Sequence, residues 1–251
     1  MSDRYIRQIS VIGYDGQKRL QKAKILVVGA GGLGSSVIAY LAAAGVGKLG
    51  IMDGDVVEEH NLQRQIIHGG NVGINKAESA KLFVERLNPD VEVEVYPFRI
   101  TPSNVMDIVG DYDIVVSCPD NLTTRYVLND ACRLLGKPIV HAAIHGFEGE
   151  AMTVIGTPCY RCVFPRARSE EKPGVIGPVA GLFGCIQAVE AIKLVLGMEV
   201  LSGRLLRADL RSMEFYEISI SNNPECPVCS GRLKGIFEEN YVNDCRVVRF
   251  E

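Results

Sequence analysis

The stretch KILVVGAGGLGSSVIAYLAAAGVG, Lys24 to Gly47, runs from a buried-strand pattern through a glycine-rich turn into an apolar helix pattern from Ser35 to Ala44. It constrains the fold more than any other part of the chain, because a β-branched run that ends in glycines and continues as a helix opens a βαβ unit. The alternation repeats. The strand patterns KLGIMD, VEVEVY and YDIVVSC follow, with a helix pattern over Lys76 to Leu87 between the first two. A helix pattern from Thr123 to Leu135 then precedes the strand patterns KPIVHAAI and EGEAMTVIG. This order predicts a Rossmann-like, doubly wound α/β fold, with a mostly parallel sheet and helices on both faces.

From Cys159 to Pro178 the periodicity fades into a long, proline-containing loop; a long helix over Gly177 to Gly197 and two C-terminal strands, GRLLRADL and EFYEISI, expected to be antiparallel, come next. The expected organisation is one domain spanning 1–251. Residues 1–157 form the half built on this alternation, 158–234 a half with the loop and the long helix, and 235–251 a tail with no assigned role.

A net charge of −3, with Lys and Arg spread along the chain, supplies no basic footprint for nucleic acid. The charged N-terminus does not read as a signal peptide, which predicts a cytoplasmic protein. The apolar run Gly177–Gly197 carries Gln187, Glu190 and Lys193 and is expected to be a buried or interface helix, with no membrane partner.

Gly29, Gly31 and Gly34, with Gly32 between them, match the G-x-G-x-x-G spacing that lets backbone N–H groups at a helix N-terminus approach a phosphate. Asp53 closes the next strand 19 residues after Gly34, where a dinucleotide fold places a ribose-binding carboxylate. NAD and ATP both satisfy these features. Asn61, Arg64 and Gln65 just past that strand, followed by Lys76, favour ATP, because cations beside a phosphate site neutralise a triphosphate; solvated surface charges are the competing reading. Asp120 and Asn121 end the fourth strand at the ligand-binding edge of such a sheet, so Asp120 is a candidate magnesium ligand. Capping of the next helix is the alternative, and the two residues can divide these roles.

Cys159/Cys162 and Cys226/Cys229 form two C-x-x-C knuckles, four thiolates that suit a closed tetrahedral structural zinc. Cys118, Cys132, Cys185 and Cys245 read as small buried hydrophobes, and the four histidines show no metal-binding pattern.

The ordered set RYIRQI, GAGGLGS, D-x-D, NLQRQ, NK, PDN-x-x-TR, the two knuckles and GPVAGLFGCIQAVEAIK resembles the ThiF/MoeB family, prokaryotic relatives of the ubiquitin-activating enzymes, over Arg4 to about Gly231. That resemblance implies ATP-dependent adenylation of the C-terminal glycine of a small ubiquitin-like sulfur carrier ending in Gly-Gly. It implies that Asp53, in the D-x-D pair with Asp55, holds the ribose; that Asn61, Arg64 and Lys76 contact phosphates; and that Asp120 binds magnesium. It further implies a homodimer in which Arg7 reaches the neighbouring subunit's site, and a loop from Val163 to Pro178 that crosses the carrier tail. Where many members carry a loop cysteine this chain has Glu170, so no enzyme–carrier thioester is expected. Rival readings are a relative that adenylates a tRNA base or a peptide C-terminus, an NAD-dependent oxidoreductase, and a noncatalytic scaffold.

Overall fold

The computed structural model describes residues 3–166, 174–242 and 245–251. Glu170 and the middle of the segment expected to cross the carrier tail, 167–173, lie outside them.

A helix not anticipated from the sequence opens the chain: α1, Ile6–Leu20, which kinks at Gly13. Then follow β1 (Lys24–Val28), α2 (Gly32–Ala44), β2 (Lys48–Met52), α3 (Lys76–Leu87), β3 (Glu92–Tyr96), a short α4 (Val105–Gly110), β4 (Ile114–Ser117), α5 (Leu122–Leu135), β5 (Ile139–His145) and β6 (Glu148–Val154). The remainder is α6 (Tyr160–Val163), α7 (Gly177–Leu196), β7 (Arg204–Asp209) and β8 (Glu214–Ser219). The region read as loop after Cys159 therefore begins with a helical turn. α2 starts three residues earlier than its apolar pattern, because the glycines at its N-terminus are themselves helical.

All strands join one sheet in the order β3-β2-β1-β4-β5-β6-β7-β8. The first five run parallel, and β6, β7 and β8 add antiparallel. β1 shows why both faces are covered: Ile25 and Val27 enter one core with α2, α3 and α7, while Leu26 and Val28 enter the other with α4, α5, the knuckles and the C-terminal tail. A strand buried on both faces needs a continuous apolar run, and KILVV supplies it. Strand order reverses between β1 and β4, so the C-terminal ends of those strands open a crevice.

The helix α7 has the length and hydropathy of a membrane span, yet it lies on the sheet, and its polar residues are satisfied there. Gln187 Nε2 donates to the carbonyls of Ser117 and Val140, and Glu190 accepts from Thr153 Oγ1 and the Leu201 N–H. Its apolar character serves a core.

Candidate nucleotide site and cysteine cluster

A cleft of 930 Å3 lies at the C-terminal ends of β1, β2 and β4. The glycine turn forms its floor. Gly29 has φ +99°, and a Cβ there would sit 2.5 Å from the Cys118 carbonyl oxygen; at Gly34 it would sit 2.0 Å from the Gly29 oxygen. Strand, turn and helix are thus packed backbone to backbone. Gly31 is the N-cap of α2 and offers no side chain to its first-turn amides, which leaves them for an anion.

Asp53 ties the turn to β2. Its Oδ2 accepts from the Ala30 N–H at 2.8 Å and its Oδ1 from the Asp55 N–H at 2.9 Å. Burial raises its pKa, and the two amide bonds act against that shift. Asp55 takes Arg99 Nη2 at 2.8 Å and Lys76 Nζ at 3.4 Å, and the Arg99 bond holds its carboxyl below the usual carboxylate range. Lys76 is brought to the cleft as the first residue of α3, whose N-cap Asn75 accepts from the Ala77 and Glu78 amides.

Of the residues singled out in the sequence, Gly29, Gly31, Gly32, Asp53, Asp55, Asn61, Arg64, Gln65, Lys76, Asp120 and Asn121 all line this one cleft. Asn61 is buried and its Oδ1 caps its own turn by accepting from the Glu58 N–H, while Arg64 lies over Gly32. Gln65 Oε1 is buried and has no hydrogen-bond partner among the described residues, an acceptor on the cleft wall. Asn121 caps α5 by accepting from the Thr124 N–H, and Asp120 lines the cleft beside it, so the cap falls to Asn121.

Two residues fall elsewhere. Gly34 is outside the cleft lining and acts through packing. Arg7 lies at the far end of α2, where its neighbour Gln8 donates to the Ala44 carbonyl. A 13-residue helix separates it from its own chain's cleft, roughly 20 Å at 1.5 Å per residue, beyond the reach of a single side chain.

Two cations on the cleft were not anticipated. Arg99 follows β3 at the same sheet edge, a position the strand pattern VEVEVY already indicated. Arg125, within PDN-x-x-TR, is buried and donates to the carbonyls of Ala142 and Pro119. It braces β5 against the β4 turn.

The four knuckle sulfurs lie within 4.8 Å of one another, with Cys159–Cys226 at 3.7 Å and Cys162–Cys229 at 3.6 Å. Zinc–sulfur bonds of about 2.3 Å in a tetrahedron require sulfur separations of about 3.8 Å, so the donor set fits one such ion.

The glycine turn at a sheet switch point, its anion-directed helix start and the ring of charged groups define an α/β nucleotide-binding protein. The ThiF family profile matches residues 4–228, and the chain belongs to that family. It is 49% identical over 257 residues to the SAMP-activating enzyme E1 of Haloferax volcanii, covering 98% of this chain and 95% of that protein. With the sulfur carrier protein adenylyltransferase of Thermus thermophilus it shares 43% identity over 244 residues, 90% of each chain. Adenylyltransferase and sulfurtransferase MOCS3 of Mus musculus is 46% identical over 240 residues; the match covers 90% of this chain but only 52% of that longer protein. The crystal structure of E. coli MccB with MccA-N7isoASN superposes with a TM-score of 0.81 at 23% identity, covering 90% of this chain and 74% of that one, a likeness of fold.

Proposed function

We propose that this chain is an ATP-dependent adenylyltransferase that activates the C-terminal glycine of a small ubiquitin-like sulfur carrier. The observation that carries the proposal is one cleft in which the first-turn amides of α2 meet Arg64, Lys76, Asp53 and Asp120. The names of the two relatives aligned over nearly their whole length support the same reading.

In the reaction a carboxylate oxygen of the carrier's terminal glycine attacks the α-phosphorus of ATP. The bond from that phosphorus to the bridging oxygen breaks, pyrophosphate leaves with its electron pair, and an acyl-adenylate remains. Negative charge grows on phosphate oxygens, and Arg64 and Lys76, fixed beside the amides, stabilise it more in the transition state than in the ground state. Asp53 receives the ribose hydroxyls, and Asn61 and Gln65 bond to the nucleotide with their amides. Asp120 would hold the magnesium that accompanies ATP, whose charge would offset that of the phosphates.

Arg7, remote from its own cleft, completes the site of a second copy, which makes the active form a homodimer. The four knuckle cysteines hold zinc in a structural role. Cys118 and Cys132 are poor nucleophiles, since burial raises both thiol pKa values, that of Cys118 to about 12. With Glu170 in the sequence where many members carry a cysteine, activation ends at the adenylate, without an enzyme–carrier thioester.

Exchange of labelled pyrophosphate into ATP, with and without a carrier ending in Gly-Gly, tests the reading. Carrier-dependent exchange that Arg64→Ala and Asp120→Ala abolish in folded protein is expected; normal exchange in both variants refutes the site. Mixing inactive Arg7→Ala with inactive Arg64→Ala subunits should restore activity through one intact composite site, and no restoration would remove the trans arginine.

A further inference from the structure

His68 is completely buried outside the cleft lining, and it touches the glycine turn. Its Nε2 lies 2.7 Å from the Ala30 carbonyl oxygen, and its Nδ1 lies 2.9 Å from Ser79 Oγ on α3. Asn71 Nδ2 in turn donates to Ser79 Oγ at 2.9 Å. A carbonyl oxygen only accepts, so Nε2 must carry a proton. Burial holds the imidazole below the usual histidine range and keeps it neutral, so Nδ1 accepts and the Ser79 hydroxyl donates to it. Every hydrogen then points one way, from Asn71 to Ser79 to His68 to Ala30.

The Ala30 carbonyl shares a planar trans peptide with the Gly31 N–H, and in such a unit the two groups point in opposite directions. Drawing the oxygen inward to His68 therefore turns the Gly31 N–H away from His68, toward the cleft that Gly31 lines. Ala30 is held on its other side too, by Asp53 Oδ2 on its own N–H. Glycines flank this residue, so rotation of the peptide meets little steric resistance. A rotated peptide would direct a carbonyl dipole at a bound phosphate.

We propose that His68 is a positioning residue: it latches the Ala30–Gly31 peptide with its N–H directed into the cleft and so sets affinity for the nucleotide's phosphates. This rests on the reading of the cleft as an ATP site. Ser79 also joins the latch to α3, one turn after Lys76, so the turn and that cation are set together.

The test uses the full chain with His68→Gln, whose amide can both donate to Ala30 and accept from Ser79, and His68→Leu, which can do neither. Long-range 15N–1H spectra of ligand-free wild type should show the Nε2–H tautomer, and a crystal structure of His68→Leu should show the Ala30–Gly31 peptide rotated or in two orientations. Titrations with ATP, inorganic triphosphate and adenosine should show His68→Leu weakened by roughly tenfold or more for the first two and by less than about threefold for adenosine, with His68→Gln close to wild type. An Nδ1–H tautomer, an unchanged peptide, or equal loss for all three ligands would overturn the latch. Wild type that binds none of the three would refute the nucleotide reading and the affinity role with it, while tautomer and peptide orientation would still decide the latch.

Discussion

Arg161 and Asp130 form an ion pair inside the protein, Nη2 to Oδ2 at 2.8 Å, with 2% and 0% of their side chains exposed. Arg161 sits between the knuckle residues Cys159 and Cys162, and Asp130 lies on α5. The tail joins them: Tyr241 donates its hydroxyl to Asp130 at 3.0 Å, and Arg161 Nη1 donates to the Cys245 carbonyl at 2.6 Å. One pair thus holds together the knuckle, α5 and the last residues of the chain.

Removing one member of a buried pair leaves the other charge without compensation, at a cost of about 3–5 kcal/mol. Asp130→Ala should therefore lower the unfolding free energy by that amount in urea titration and open the tail to proteolysis. A loss below about 1 kcal/mol would show that the pair contributes little.

Metal at the cysteine cluster should act on stability. Elemental analysis should find one zinc per chain, lost in Cys229→Ser together with a lowered thermal midpoint. Pyrophosphate exchange per folded molecule should persist, because the cleft lining contains none of the four sulfurs. Selective loss of turnover in folded, metal-free protein would contradict a structural role.

The glycines of the turn should separate folding from binding. A Cβ at Gly34 would collide with the Gly29 oxygen, whereas one at Gly31 would meet Gln65 Nε2 at an ordinary 3.7 Å. Gly34→Ala should cost about 1–3 kcal/mol through forced backbone movement. Gly31→Ala should fold within about 0.5 kcal/mol of wild type and lose ATP affinity, since its methyl occupies the phosphate approach. Denaturant melts beside ATP titrations check both, and the opposite ranking would place the phosphate elsewhere.

Acid lability should trace to His141. Both its ring nitrogens are buried without partners among the described residues, and burial, aided by Arg125, pushes its pKa down to about 3. The unfolded chain then binds a proton that the folded chain refuses, so stability is full above about pH 6.5 and falls as pH drops from there toward 3. Between pH 7 and 5 this amounts to about 2 kcal/mol. His141→Phe, which keeps a ring against Tyr160, should flatten that part of the stability–pH curve; an unchanged slope would assign it to other groups.

The pattern that predicted the parallel sheet was legible because strands buried on both faces must be apolar throughout, and all eight strand patterns became strands. The glycine turn, Asp53 and the Asp120–Asn121 pair were legible for a related reason: a doubly wound sheet fixes where its strand ends go. Helix α1 was missed because its residues are on average polar and its pattern is broken by Gly13, whose backbone is not helical, and it is held by contacts such as Gln17 to the Ala44 carbonyl. Arg99, just past VEVEVY, and Arg125, the last residue of PDN-x-x-TR, were not read as cleft cations, because only the packed sheet brings them to the crevice.

Local sequence therefore determined the strands, the helices between them that cover the parallel sheet, the turn and the cysteine knuckles, since backbone preference and short-range spacing act along the chain. Tertiary structure alone decided that Lys76 shares Asp55 with Arg99, that the tail closes on Arg161 and Asp130, and that His68 grips Ala30. Those contacts join residues tens of positions apart, and only packing of the finished sheet and helices brings their polar atoms within hydrogen-bonding distance.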